Sequence, residues 1–452
     1  MENNKISRKT IGMIIATALM GFTGIMSETA MNVTFPKLMT VFHVSIGAMQ
    51  WVTAIYLLAV AIIMTMSSYI QRRFTEKKIF YTSIVIFTIG TLVGGLSQDF
   101  VVLLLGRVLQ GTAAGLAMPL MFNIIFERVP MNQLGLWMGF ASMILSLAPS
   151  LGPTYGGLMI ESFGWRMIFI FTLVIPVVSL LIAILTYENS KKTALSKPFD
   201  FMAFILLAIT LTALLIAANE LETGQVNYLL FSTFIITLGL FIWRSLTSQA
   251  EFLNIRIFKK LSFTMAIIPF ILFQFMNIGG NFIIPNYLQL GFGVSSALAG
   301  FTLLPGTLLG AVFSPLFGKV YDHKGAKLPL YVGTLVLLGS LILMFVLVQT
   351  MGFWFTLLLY ILFTLGRVLA FGTTNTTAVA HLSDKERSDG SAMFQTAQQF
   401  AGALGTTVVA LIAGSNKDIK VGMNHTLLLF VILTVVILVM YRIMFKTKAY
   451  TE

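Results

Sequence analysis

One carboxylate, Glu28, lies inside a long apolar stretch of this chain rather than at the end of one. An ionised acid taken out of water is costly, so such a group either holds a proton or pairs with a cation. The chemistry this points to is proton exchange; a structural carboxylate permanently paired with an arginine is the alternative. Two arginines also stand inside apolar stretches, Arg107 and Arg367. Arg107 and Glu28 each sit about seven residues from the same-side end of their stretch, roughly 10 Å deep at 1.5 Å per residue, so the two could meet. Beside Glu28, Arg107 would keep the acid ionised until a conformational change or a competing cation separated them, since an arginine does not give up its proton. Arg107 bonded only to helix carbonyls is the other reading. Arg367 has no acid in its own stretch and reads first as structural, with a substrate or packing role as the alternative. The chain has no Cys and only four His, at the ends of apolar runs or between them. That argues against disulfides, thiolate metal sites, a histidine metal cluster and a Cys nucleophile. No nucleophile–base constellation lies within the runs, so an enzyme is not expected, and neither is a metal or cofactor.

The elements that must position these groups follow from composition. Of 452 residues 57% are hydrophobic and 10% charged, and the mean hydropathy is +0.90, which a water-soluble domain of this size does not carry. Apolar runs of bilayer-spanning length, roughly 20 residues each, can be read from 11–35 through 424–445. They number fourteen, or twelve if 200–245 does not make two full spans. The first run follows Lys5, Arg8 and Lys9 and is too long for a signal-peptide core, so it reads as a retained helix. All but six of the 29 Lys and Arg fall on one side if both termini are cytoplasmic, as short inner loops require. The net charge of +12 therefore reports topology beside anionic lipid, not nucleic-acid binding. The lipid bilayer is the expected partner, with no nucleic acid and no obligate protein partner.

Leu105-Gly106-Arg107-Val108-Leu109 recurs letter for letter as Leu365-Gly366-Arg367-Val368-Leu369, in the fourth and twelfth runs. If spans 1–6 and 9–14 are two six-helix halves, the repeat falls in the fourth helix of each, as in transporters whose halves are related by an axis along the membrane normal. The expected organisation is all-α: residues 1–190 as the N-terminal half, 191–250 as two inserted helices, and 251–452 as the C-terminal half. The polar linker Glu188 to Pro198 marks the boundary.

Four motifs stand on these helices. In the first, an acid, Thr, Asn and Pro appear as Glu28, Thr29, Asn32 and Pro36; Arg107, Gln110 and Gly111 form an Arg-x-x-Gln-Gly in the fourth. Gly152, Pro153, Gly156 and Gly157 form Gly-Pro-x-x-Gly-Gly in the fifth, followed by Trp165-Arg166. Gly318, Asp322, Gly325 and Lys327 form Gly-x-x-x-Asp-x-x-Gly-x-Lys after the tenth. Together and in this order they resemble the fourteen-span drug:proton antiporters of the major facilitator superfamily, of EmrB, QacA and LmrB type. The resemblance covers nearly the whole chain. Many members carry the acid one residue earlier, where this chain has Ser27, and LmrB-like members place it as here. The first-half counterpart of the loop motif, near Ser67 to Lys78, has Gln71 or Arg72 where an acid is usual.

The resemblance implies proton-coupled export of hydrophobic compounds across the cell membrane by alternating access, with small-molecule drugs and protons as partners and Glu28 and Arg107 as the coupling pair. Physically, Gly152 and Gly156 are one turn apart and allow close helix approach, while Pro153 removes a donor and points to a bend or hinge. Asp322 is an inner-gate candidate able to meet Lys327 or neighbouring bases, or else a solvated loop acid. Asn32, Trp51, Tyr56, Asn123, Tyr155, Gln274, Asn277, Asn281, Asn286 and Gln395 either line a cavity or bond helices together. Export of cationic drugs is the expected function. Transport of an endogenous lipid or metabolite on the same fold is the alternative.

Overall fold

Lipid offers backbone N–H and C=O groups no partner, so each apolar run must satisfy its own hydrogen bonds as a helix. A computed structural model describes residues 6–130, 133–187, 199–221, 226–248, 252–253, 255–380, 384–416 and 418–446. Among them fourteen helices are long and apolar enough to cross a membrane. Spans 1–7 are Arg8–Phe42, Ile46–Thr65, Glu76–Gly95, Phe100–Arg128, Met143–Ser162, Trp165–Thr186 and Phe201–Glu220. Spans 8–14 are Tyr228–Thr247, Leu261–Phe292, Ser296–Ser314, Lys327–Leu347, Phe353–Ala378, Met393–Gly414 and Ile419–Met444. The stretch 200–245 thus makes two spans. The linker expected at Glu188 to Pro198 lies outside the described residues.

Many of these helices begin where a short polar side chain can take a first-turn N–H that would otherwise lack a partner. Ser7, Thr75, Asp99, Asp200, Asn227, Ser295 and Asp418 all do so. The first span reaches Phe42 rather than ending near 35. A 3-10 turn at Asn32–Thr34 interrupts it, and the helix resumes with Pro36 in its first turn, where a missing N–H costs nothing.

Packing repeats with an offset of eight helices. Span 4 lies against spans 1, 2 and 3, and span 12 against spans 9, 10 and 11; span 1 also packs on 5 and 6, as span 9 does on 13 and 14. The repeated pentapeptide has a physical reason. A Cβ on Gly106 would stand 2.6 Å from the Gly94 nitrogen, and one on Gly366 2.6 Å from the Leu337 nitrogen, so in both halves the helix pair meets backbone to backbone. The two six-helix halves then touch symmetrically, span 2 on span 13 and span 5 on span 10. Inserted span 7 rests against spans 2 and 13, and span 8 is almost wholly uncovered beyond it.

With an even number of spans both chain ends lie on one face, the termini face, opposite a distal face. At the termini face Arg128 holds Glu76 through Nη2–Oε2 at 2.5 Å and Nε–Oε1 at 3.2 Å, tying span 3 to span 4. Arg244 holds Asp200 at 2.9 Å, tying span 8 to span 7. Burial alone would raise the Asp200 carboxyl, but bonds from Ser248, the Ala203 N–H and Arg244 hold it below the usual carboxylate range.

Candidate transport site

Glu28 is 3% exposed, in the middle of the N-terminal half. Its neighbours are set by glycines. Gly24, one turn earlier, lets the Tyr56 hydroxyl and Ala114 approach span 1, where a Cβ would meet both at 3.0 Å. Gly111 lets span 4 approach the Tyr56 carbonyl, which a Cβ would meet at 2.4 Å. Spans 1, 2 and 4 therefore converge around one layer holding Glu28, Tyr56 and Arg107, close enough to interact electrostatically.

Arg107, fully buried, is anchored on several sides. Its Nε donates to the Val52 carbonyl at 2.8 Å, and Nη1 donates to Gln110 Oε1 at 2.8 Å and Ser27 Oγ at 3.1 Å. The guanidinium lies over the Tyr56 ring, 4.4 Å from its centroid. Gln110 is held in turn by donating to Thr91 Oγ1 at 2.9 Å. Counting turns predicted one level for Glu28 and Arg107, and they share it, yet no ion pair within 4.0 Å joins them. The hydroxyl of Ser27 takes the arginine instead. Glu28 has no hydrogen-bond partner among the described residues. The Tyr56 hydroxyl and Arg107 Nη2 are likewise buried and unpartnered.

The fifth-span motif forms contact surfaces and not a break: the helix Leu134–Ser162 runs on through Pro149 and Pro153. A Cβ on Gly152 would strike Thr29 Oγ1 at 1.9 Å and one on Gly156 the Ala30 carbonyl at 2.2 Å, so these glycines seat span 5 on span 1 just beyond Glu28. Gly157 faces the other half, where a Cβ would lie 2.4 Å from the Ser296 carbonyl; reciprocally, a Cβ on Gly300 would lie 2.2 Å from the Pro153 carbonyl.

Those contacts belong to a seam that joins the two halves at the distal face. Pro36 has no N–H to give the carbonyl of Asn32 four residues back, and Asn286 Nδ2 of span 9 supplies a donor at 3.3 Å. Gln289 Nε2 donates to the Val33 carbonyl at 3.1 Å and its Oε1 accepts from Ser296 Oγ at 2.8 Å. Glu161 accepts from the Ala297 N–H at 2.7 Å, and Gln50 from Thr407 at 3.0 Å. Phe35 packs on Phe282, and a single apolar cluster joins Ala30, Met31 and Leu38 to Tyr287, Leu288 and Ala299.

Several expected cavity residues are used in packing. Asn32 accepts from Thr53 at 2.7 Å. The Trp51 indole donates to Asn219 of span 7 at 2.7 Å, fastening the inserted pair. The Tyr155 hydroxyl donates to the Ile168 carbonyl at 2.9 Å, turning it into span 6. Asn281 accepts from Tyr360 at 2.7 Å, and Asn123 donates to Glu127 at the end of span 4. Asn277 and Gln395 are half-buried without a partner among the described residues, and Gln274 is buried without one. Of the tenth-span loop motif, Gly325 adopts φ 71 and closes the helix at Lys324, a Cβ on Gly318 would meet nothing within 4 Å, and Lys327 lies over Phe445, just past span 14. The Asp322 side chain lies outside the described residues. Sequence reasoning missed Gln50, Glu161, Gln289 and Gly300 at the gate; their one signal was a polar or small residue close to a span end.

Comparison with known proteins agrees with this architecture. Residues 17–406 match the Major Facilitator Superfamily. The chain is 31% identical over 410 residues to the lincomycin resistance protein LmrB of Listeria monocytogenes, covering 89% of this chain and 87% of that one. It is 28% identical over 429 residues to LmrB of Bacillus subtilis, covering 91% and 87%. A solved POT family transporter, in complex with a thioalcohol-conjugated peptide, superposes with a TM-score of 0.72 at 16% identity over 96% of both chains, which shows a shared fold. The chain belongs to the Major Facilitator Superfamily, in the fourteen-span branch that its motifs resemble.

Proposed function

We propose that this transporter exports hydrophobic, cationic drugs in exchange for protons by alternating access, with Glu28 as the exchanging carboxylate. The observation that carries this reading is Glu28 itself: buried, without a hydrogen bond or ion pair among the described residues, in one layer with an arginine anchored elsewhere. A carboxylate held by Arg107 would be fixed in its charged form. Left unpaired, Glu28 is free to take a proton in one state and, in another, to release it to water and pair with a cationic compound. The names of the LmrB relatives support a drug-resistance role.

On this reading both termini are cytoplasmic in the cell membrane, the distal face is outside, and the structure is closed to the outside. Residues 1–190 and 251–452 rock about the Glu28 layer, residues 191–250 ride alongside spans 2 and 13, and the loop motif ending at Lys327 serves the inner gate. Half-buried Asn277 and Gln395 line the path. The test is uptake of a lipophilic cation into proteoliposomes under an imposed proton gradient. Wild type should accumulate the cation and lose it when an ionophore collapses the gradient, and Glu28→Gln should bind it but not accumulate it. Accumulation at wild-type rate by a well-folded Glu28→Gln variant, or flux indifferent to the gradient, would overturn the assignment and favour transport of an endogenous solute.

A further inference from the structure

The two copies of the pentapeptide set an arginine inside span 4 and inside span 12, and the two have opposite surroundings. Arg107 is bonded to Val52, Ser27 and Gln110 under the Tyr56 ring. Arg367 has no hydrogen bond or ion pair among the described residues; its Nε is buried without a partner, and its guanidinium carbon lies 5.6 Å from the Phe371 ring centroid. An arginine always carries its charge, and a lone charge at membrane depth is expensive enough to mark a functional group by default.

The surroundings are built for a guest anion. Spans 9 and 12 run antiparallel and are pinned at two levels: Tyr360 donates to Asn281 at 2.7 Å, and Phe371 stacks on Phe270 at 4.3 Å between centroids. Residues 270, 274, 277 and 281 share one helical face, as do 360, 364, 367 and 371. Arg367 therefore lies between the pins, at the level of Gln274 and Asn277, two amides without partners of their own. Spans 9 and 12 contain no acidic residue. Among the described residues this level holds a cation and two amide donors, and no anion.

We propose that Arg367, with Gln274 and Asn277, is an anion subsite in the C-terminal half that takes the carboxylate of the exported compound. This rests on the export reading above and sharpens its substrate class: an amphipathic zwitterion, its cationic end toward Glu28 in one half and its carboxylate on Arg367 in the other. A guanidinium suits this role because its planar fork meets a carboxylate in two parallel hydrogen bonds.

The test uses a dye pair differing only at the carboxyl: rhodamine 110 in its open zwitterionic form and its methyl ester, rhodamine 123. Binding to the full-length protein in nanodiscs is read by fluorescence anisotropy, and export of each dye is read separately in proteoliposomes. Wild type should bind the acid about tenfold tighter than the ester, the scale of a charge-assisted contact. Arg367→Gln should abolish that preference by weakening the acid alone, and Arg367→Lys should retain part of it. Equal affinity of wild type for acid and ester, or an Arg367→Gln variant that weakens both alike, overturns the subsite; the wild-type comparison decides even if the variant does not fold. Preferential binding of the acid without export of either dye leaves the subsite standing and sinks the export reading. Export of the ester with no preference in binding does the reverse.

Discussion

Replacing Gly300 by alanine should open the distal gate while leaving each half intact. A Cβ there would stand 2.2 Å from the Pro153 carbonyl and 2.7 Å from its carbon, against an ordinary contact of about 3.5 Å. Spans 5 and 10 must then part by roughly 1 Å, and because the obstacle is backbone it cannot turn aside. Overpacking of this kind costs about 1–3 kcal/mol. The strain falls only on the closed state, since the contact disappears once the halves separate, so the closed-to-open ratio should fall roughly fivefold to a hundredfold. The chain has no native cysteine, so paired spin labels can be placed without background. Exposed Phe163 and Leu298 flank the gate from spans 5 and 10. Labels there should give a short distance in the parent and a mostly longer one in Gly300→Ala. An unchanged distance distribution in a folded Gly300→Ala protein would refute the claim that this seam is a gate.

Asn286→Leu should leave the Asn32 carbonyl without its donor across the gate, costing about 1–3 kcal/mol and lowering the Tm of the purified protein; an unchanged Tm would show that the Pro36 gap is filled some other way. Gly106→Ala and Gly366→Ala should fail alike, because in each the new Cβ meets backbone at 2.6 Å. Membrane abundance and Tm of both should fall together, and a large difference between them would break the structural equivalence of the two halves.

The fourteen spans were legible because lipid forces apolar runs into helices and fixes their length. Counting 1.5 Å per residue from two span ends put Glu28 and Arg107 on one level, although span 1 runs on to Phe42 past the end from which the count was made. Rotation about each helix axis was not legible. These spans are apolar nearly all round, so their sequences carry no stripe that says which way a polar side chain points. Trp51 thus turned out to hold Asn219, Tyr155 the Ile168 carbonyl, and Arg107 the Ser27 hydroxyl where the carboxylate beside it was expected. The end of span 1 was missed for another reason: Lys37 and His43 dilute the apolar signal of a helix that Pro36 helps to restart.

What the fold adds to the unpaired carboxylate is its nearness to the gate. Thr29 and Ala30 abut Gly152 and Gly156, and the carbonyls of Asn32 and Val33 accept the two amide bonds from span 9. Glu28 therefore stands within five residues, under one and a half turns, of the gate bonds, on a helix unbroken from Arg8 to Met31. Two neutral hydrogen bonds are worth about 1 kcal/mol each net. An ionised Glu28 is drawn toward the Arg107 guanidinium in its layer, and a protonated one is not. On the proposed reading, ionising Glu28 pulls span 1 toward span 4 and loads the bonds from Asn286 and Gln289 to the Asn32 and Val33 carbonyls, and protonation relaxes that pull, so the charge on one side chain biases the distal gate.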